Sequence, residues 1–423
     1  MTNAQSIESL EGTNQVDRIP SLDFLRGIAI LGILFINTEN FAYPDSWSPW
    51  KFGFESSIDH STRFWVYFLT QGKFYTMFAL LFGVGFFMFL ERLENKGKGL
   101  KAMDIYGRRL LWLFVIGVAH AYLIWEGDVL YHYAICGLIL MPFRSISNRK
   151  LVLIICLFAS LLLVKSYEQT DRRQASYSKY TNALSLPKEA LSTEDEKRVK
   201  YWEGQIQLKK PDTATYEPKK KTYLTGLKET YEHASVHDGQ WYHKGLLLRS
   251  LIVMILGIIL YKSGIFNDYR KWKYYWVISI SLLLLSLWIN YIRYYHWTYE
   301  YHVPILSLWK GLLFTFPKEL LGISYVLILN GIYQKFIKSK VNLISRIGQM
   351  ALTNYIFQNT LLGLIFYGFG LGQFNQYTRY ELMIIVIIIW AIQLTFSWLW
   401  MRTHKQGPLE SIWRKLTYSS FKN

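Results

Sequence analysis

The stretch Ile19–Asn37, IPSLDFLRGIAILGILFIN, decides the fold class. After Pro20 it is an apolar run that, as a helix, is long enough to enter and cross a hydrocarbon core of about 30 Å. Two ionised residues, Asp23 and Arg26, stand at its mouth, and an amide, Asn37, closes it. Asp23 and Arg26 are three apart and so share a helical face. Charges at the edge of a span are costly unless paired or used. The doublet is therefore read both as a structural ion pair and as a candidate binding element.

The same signature recurs along the chain. Its 423 residues are 51% hydrophobic and 17% aromatic, which is a polytopic membrane composition rather than that of a soluble domain. Ten apolar runs, at about 22–42, 72–91, 108–126, 128–143, 149–167, 243–262, 273–291, 304–334, 347–368 and 381–401, are each read as a transmembrane helix, because backbone polar groups in lipid need internal partners. The expected fold is all-α: a polytopic integral membrane protein of about ten transmembrane helices. It divides into a polar N-terminal tail (1–18), helices 1–5 (19–167), an extracytoplasmic polar insertion (168–240), helices 6–10 (241–403) and a cytoplasmic interfacial tail (404–423).

The net charge of +17 does not point to nucleic acid, because of where it lies. Segments 92–109, 143–150, 262–273, 335–346 and 402–423 carry 22 Lys/Arg and 4 Asp/Glu, whereas 43–60, 126–128, 292–303 and 369–380 carry 3 and 6. The two sets alternate as ten crossings require, and the positive-inside rule places the basic set and both termini in the cytoplasm. No cleavage pattern precedes the first run, which is read as an uncleaved anchor.

The insertion is nearly neutral, with 13 Lys/Arg and 12 Asp/Glu. Helices are expected near 190–209 and 219–234, the first capped by Ser192 with Asp195. The eighth run contains Lys310 and Pro317-Lys318-Glu319. It is read as one Pro-kinked crossing that carries a Lys318–Glu319 pair at membrane depth. Gly83-Val84-Gly85 follows no strand, so it reads as close helix packing rather than a nucleotide loop. Cys136 and Cys156 read as small apolar packing residues, and no zinc-ligand spacing is present.

His120 and Asp128, in GVAHAYLIWEGDVLYHYA, flank a turn so short that the third and fourth helices form a hairpin. A histidine beside a carboxylate is a candidate general base, since the carboxylate orients and stabilises the protonated ring; an interhelical hydrogen bond is the structural alternative. His60, near Asp59 and Arg63, is the rival histidine. Lys73 either snorkels or binds an anion. Arg108 and Arg109 open the third helix from the basic side and suit phosphates or anionic lipid. Asn354 and Gln358, four apart beside Thr353, read as interhelical glue or substrate contacts. Pro408 to Trp413 reads as an interfacial amphipathic helix with a belt tryptophan.

An ordered set of motifs carries a resemblance. It comprises Leu22-Asp23-x-x-Arg26-Gly27 through Asn37, Gly72-Lys73-Phe74 leading to Leu81-Phe82-Gly83-x-Gly85, and His120 through Gly127-Asp128-Val129-Leu130 to Tyr133. Pro317-Lys318-Glu319, Met350-Ala351-Leu352-Thr353-Asn354-Tyr355 and Gly407-Pro408-x-Glu410-x-x-Trp413-Arg414 complete it. With these the chain resembles the YeiB family of bacterial multi-span membrane proteins (domain of unknown function 418). The insertion lies outside the shared pattern, and Gln349 stands where the family usually has Arg. The opening segment is similar to that of transmembrane acyltransferases, the acyltransferase-3 proteins and heparan-alpha-glucosaminide N-acetyltransferase.

The resemblance implies a multi-pass protein of the bacterial cytoplasmic (inner) membrane. It also implies transfer of an acyl group from cytoplasmic acyl-CoA, as donor substrate with no tightly bound cofactor, to an extracytoplasmic glycan, lipid or small-molecule acceptor bearing a hydroxyl or amine. His120, Asp128 and Asn37 would form the catalytic group, with Asp23, Arg26, Lys73, Arg108, Arg109, Lys318, Glu319, Asn354 and Gln358 binding substrate. The lipid bilayer and a second copy of the chain are the other expected partners. A transporter for a small solute is the open alternative, with the same charges lining its path.

Overall fold

The computed structural model describes residues 18–48, 50–207, 228, 245–300, 305–338, 342–367 and 370–419. Among them every regular element is helical, and short 3₁₀ or π turns (141–145, 188–190, 269–271 and 333–337) accompany the α-helices. In chain order these are α1 (Pro20–Ala42), α2 (Ser57–Thr70), α3 (Lys73–Asn95), α4 (Leu100–Leu123), α5 (Leu130–Leu140), α6 (Asn148–Leu184), α7 (Thr193–Gln207), α8 (Leu246–Lys262), α9 (Tyr275–Tyr299), α10 (Leu308–Leu313), α11 (Pro317–Ile332), α12 (Leu343–Gln349), α13 (Ala351–Phe366), α14 (Arg379–Thr403) and α15 (Pro408–Tyr418).

Among the described residues, six stretches are long and apolar enough to cross a membrane: Pro20–Ala42, Ser57–Asn95, Asn148–Leu184, Tyr275–Tyr299, Leu308–Ile337 and Arg379–Thr403. The other apolar runs read from the sequence coincide with α4, α5, α8 and α13. Burial sorts the spans into layers. The apolar window of α1 is 67% buried, so α1 is the axis of the bundle. That of α6 is 11% buried, and Leu153, Leu157 and Val164 stand exposed along it. A continuous apolar face of this kind, held by no neighbour among the described residues, is what lipid contact requires.

Small residues set the closest approaches around the axis. A Cβ on Gly348 of α12 would strike the Asp23 carbonyl of α1, and one on Gly27 would strike the Ile344 carbonyl in return. Gly83 of α3 and Gly257 of α8 meet the Met254 and Leu80 carbonyls in the same reciprocal way. Gly83-Val84-Gly85 is thus a packing element.

The basic segments gather at one end of the bundle. Arg144 pairs with Glu94, Tyr261 donates to Glu91 (2.8 Å), Lys262 to the Ile146 carbonyl (3.0 Å) and Ser21 to the Phe266 carbonyl (2.9 Å). Segments 43–48, 50–60 and 370–380 meet at the opposite end. There Asn375 N–H donates to Ala42, Tyr380 N–H to Asp59, and a buried Arg379–Glu39 ion pair closes the junction.

Three expectations change. The helix expected at 149–167 continues as α6 through Leu184, about 55 Å at 1.5 Å per residue. Its extension holds α7 through Trp202 Nε1–H to Ser176 (3.1 Å), and Ser192 with Asp195 caps α7; the expected helix at 219–234 falls outside the described residues apart from 228. The eighth run is broken into α10 and α11 ahead of Pro317, not merely kinked. Glu319 pairs not with its neighbour Lys318 but with Arg249 of α8, at 2.9 Å, because adjacent residues on a helix point 100° apart.

Candidate functional site

The hairpin of α4 and α5 builds the centre of the site. Gly117 lets α5 approach α4 so closely that a Cβ there would strike the Tyr131 amide. In the turn, Asp128 Oδ2 accepts from the main-chain N–H groups of Leu130 (2.7 Å) and Tyr131 (3.1 Å), the first residues of α5. That fixes the carboxylate and leaves Oδ1 aimed at α4, 2.9 Å from His120 Nδ1. The approach is an ion-pair contact without hydrogen-bond geometry, neither atom has a hydrogen-bond partner, and both residues are buried.

The far side of the ring is held as well. Asn359 of α13 donates its Nδ2–H to His120 Nε2 (3.1 Å), while its Oδ1 accepts from Asn37 Nδ2 of α1 (3.0 Å). This orientation leaves Nε2 without a proton and places the ring proton on Nδ1, facing Asp128. The four side chains form one buried line, Asn37–Asn359–His120–Asp128, across α1, α13, α4 and the turn. Nε2 is its basic atom, and Asp128 is placed to stabilise the ring once it gains a proton.

A cavity of about 630 Å³ runs from the basic end of the bundle as far as Tyr355, beside this line, whose four side chains do not themselves line it. Arg18, Arg26, Arg92, Lys96, Arg109, Lys405 and Arg414 stand at its mouth with Asp23 and Glu410; Phe78, Phe82, Leu110 and Tyr133 form its walls. Val129, Leu130 and Tyr355 also line it. Tyr355 is the link between cavity and line, because its ring centroid lies 5.2 Å from that of His120. Its hydroxyl is buried without a hydrogen bond of normal geometry, close to Asn359 and the Val129 backbone. His120 lies eleven residues along α4 from Arg109, about 16 Å.

The mouth has its own fixings. Asp23 Oδ1 holds Arg26 at 2.9 Å. The Arg109 guanidinium lies 3.7 Å from the Trp413 ring centroid and 5.0 Å from that of Phe89. Trp413 in turn donates its indole N–H to the Arg109 carbonyl (2.9 Å), so it serves the cavity rim rather than the lipid belt expected of it. Glu410 accepts from the N–H groups of Leu352 and Thr353 and from the Thr353 hydroxyl, while Thr353 Oγ1 accepts from Leu409 N–H. Two helix N-termini thus cap each other. Burial pushes the Glu410 carboxyl above its ordinary value, and its donors only partly offset this.

The remaining residues read from the sequence lie elsewhere. Arg108 pairs with Asp104 and donates to the Ser419 carbonyl, and is not on the cavity wall. Asn354 donates to Ser397 (3.0 Å), and Gln358 accepts from Gln393 (3.3 Å), so these two amides stitch α13 to α14. Lys73, Lys318 and Glu319 form a separate group at the other end of α3. His60 is exposed, stacked on Phe54. Asn359 was not singled out by the sequence, and Tyr355 only as the last residue of the Met350–Tyr355 motif, not as a site residue. They lie four apart on α13, one residue round from the Asn354–Gln358 pair, and the signal for them was the same: polar groups inside an apolar run.

Residues 260–420 match the family described as "Protein of unknown function (DUF418)". The chain is 27% identical to "Uncharacterized protein YxaH" of Bacillus subtilis, covering 98% of each. It is 28% identical to "Uncharacterized protein YeiB" of Escherichia coli, over 95% of this chain and 97% of that one. A protein of Bacillus acidopullulyticus, "Uncharacterized 39.9 kDa protein in amylase 3'region", is 28% identical over 95% of this chain. No solved structure matches. The chain is thus similar to YeiB-like proteins along nearly its whole length, and the part from α9 to α15 matches the DUF418 model.

Proposed function

We propose that the protein is a membrane acyltransferase of the bacterial inner membrane, crossing it ten times with both termini in the cytoplasm. In this reading acyl-CoA enters the cavity from the cytoplasm. Arg26 and Arg109 receive its phosphates, and the thioester comes to rest beside Tyr355. The acceptor is an extracytoplasmic hydroxyl or amine. It displaces Asn359 from His120 Nε2 and gives its proton to that nitrogen as its oxygen or nitrogen attacks the thioester carbonyl. The Tyr355 hydroxyl donates to the oxyanion. Collapse breaks the carbon–sulfur bond, and the protonated ring, steadied by Asp128, returns the proton to the departing thiolate.

The observation that carries this reading is the continuity of the cavity. It joins a mouth of seven basic side chains to a ring in contact with a His–Asp pair. Such a shape suits a long polyanionic substrate whose reactive group lies at its far end.

The test is thermal unfolding of the purified protein with acetyl-CoA and palmitoyl-CoA, followed by assay of free thiol release. A ligand that binds only the folded state raises the midpoint. The expected result is a rise that Arg109→Ala removes, and thiol release that His120→Ala abolishes. No rise at saturating acyl-CoA, or undiminished release from the His120 variant, overturns the reading.

A further inference from the structure

Lys73, Arg249, Arg293 and Lys318 come from four helices, α3, α8, α9 and α11, and none of them lines the cavity. Lys73 and the mouth residue Arg92 are nineteen residues apart on α3, about 28 Å at 1.5 Å per residue, so this group sits at the opposite end of the bundle. The four belong together. The charges of Lys318, Arg293 and Glu319 act on Lys73, and those of Arg293, Glu319 and Arg249 act on Lys318. Gly72, at φ +78°, has no Cβ where the Lys318 stem passes, which brings the starts of α3 and α11 into contact.

Among the described residues the group is short of negative charge. Glu319 is the carboxylate acting on both lysines, and it is already engaged with Arg249 at 2.9 Å. Lys73 is fully buried, and its Nζ has a carbonyl (Tyr67, 2.9 Å) and the face of Tyr294 (4.2 Å) rather than a carboxylate. Arg293 also leans on Tyr294, at 5.5 Å. Buried cations are ordinarily matched by anions, and membrane proteins hold unmatched ones where a substrate or ion binds. The starts of α3 and α11 add positive dipole ends of the same sign. Four basic groups against one engaged carboxylate suit an anion with more than one charge and several acceptor oxygens, which is the chemistry of a phosphate group.

We infer that Lys73, Arg249, Arg293 and Lys318 form a phosphate-binding site at the end of the bundle away from the cavity mouth, taking free phosphate or the phosphate of a lipid headgroup. This rests on none of the acyl-transfer reading.

The experiment measures unfolding midpoints of the full chain in nanodiscs. One arm titrates inorganic phosphate into phosphatidylcholine discs; the other replaces part of the phosphatidylcholine with phosphatidylglycerol. Arg293→Gln and Lys318→Gln alter half-buried side chains, and Arg109→Gln is the control at the cavity mouth. A rise in the first arm assigns free phosphate, and a rise confined to the second assigns a lipid headgroup. In either case the rise must weaken at least tenfold in apparent affinity in Arg293→Gln and Lys318→Gln and survive in Arg109→Gln. With no anion added, these two variants should be as stable as the parent or more so, since each relieves repulsion. No rise in either arm, or a rise unchanged in both variants, overturns the site. If the variants do not fold, loss of the rise on raising sodium chloride to 1 M, with the parent fold intact, is required instead.

Discussion

Asp128 Oδ1 lies 2.9 Å from His120 Nδ1 across the α4–α5 turn, and both groups are fully enclosed. The other carboxylate oxygen is bound by two main-chain N–H groups, so the acid is positioned by the backbone and not by the histidine. Asp128→Asn keeps an oxygen for that cap yet removes the charge that stabilises a protonated ring. Thiol release from acyl-CoA should fall by about 10²–10⁴-fold with little change in midpoint. Release within a few-fold of the parent would show that the pair is interhelical glue.

Tyr355→Phe separates packing from chemistry. The ring that lines the cavity and touches His120 is retained, and the lost hydroxyl has no hydrogen bond of normal geometry to give up. The midpoint and its rise with acyl-CoA should be unchanged, while the rate falls by about 10²-fold, the usual cost of removing one oxyanion donor. An unchanged rate removes Tyr355 from the reaction and leaves His120 in place.

The hairpin that brings His120 to Asp128 was legible in the sequence because their separation is local: eight residues spanning one turn. The Asp23–Arg26 pair was legible for the same reason, being one helical turn apart. Contacts between distant segments were not. Glu319 has a sequence neighbour of opposite charge, yet its partner is Arg249, seventy residues away. On α13 the periodicity announced a polar face but could not say which of two adjacent polar faces, Asn354–Gln358 or Tyr355–Asn359, would meet His120. That choice is made by α14, whose Gln393 and Ser397 take the first pair and so turn the second toward α4.

The motifs around Thr353 and Glu410 are a mutual cap, and a double-mutant cycle measures it. Thr353→Val removes the acceptor for Leu409 N–H and a donor to Glu410; Glu410→Ala uncaps α13. Each should cost about 0.5–2 kcal/mol. The double variant should cost less than their sum by about 0.5 kcal/mol or more, because the two share one interaction. Strict additivity would mean that the caps act independently.

Glu410 also sets a pH dependence. Burial raises its folded-state value above the ordinary 4.5. Its contribution is therefore fully present below pH 4.5 and is lost as pH rises through the higher folded value. Glu410→Gln keeps an acceptor for the α13 amides but does not titrate. The midpoint difference, parent minus variant, should be greatest at pH 4 and shrink toward pH 8. A difference that grows with pH would mean that the carboxylate's donors outweigh its burial.

Gly348 tests the axis on which the cavity mouth depends. A Cβ there meets the Asp23 carbonyl and the Gly27 amide, which are backbone atoms that cannot rotate aside. Gly348→Ala must therefore push α12 from α1, at a cost of about 1–3 kcal/mol, and it displaces the turn that carries Asp23 and Arg26. Both the midpoint and its rise with acyl-CoA should fall. Gly107→Ala is the matched control: it lies within α4, and its Cβ would meet nothing within 4 Å. There the same substitution should leave stability unchanged or raise it by about 0.5–1 kcal/mol, through the lower entropy cost of ordering alanine in a helix. Equal effects at the two positions would mean that the contact between α1 and α12 is looser than the glycines indicate.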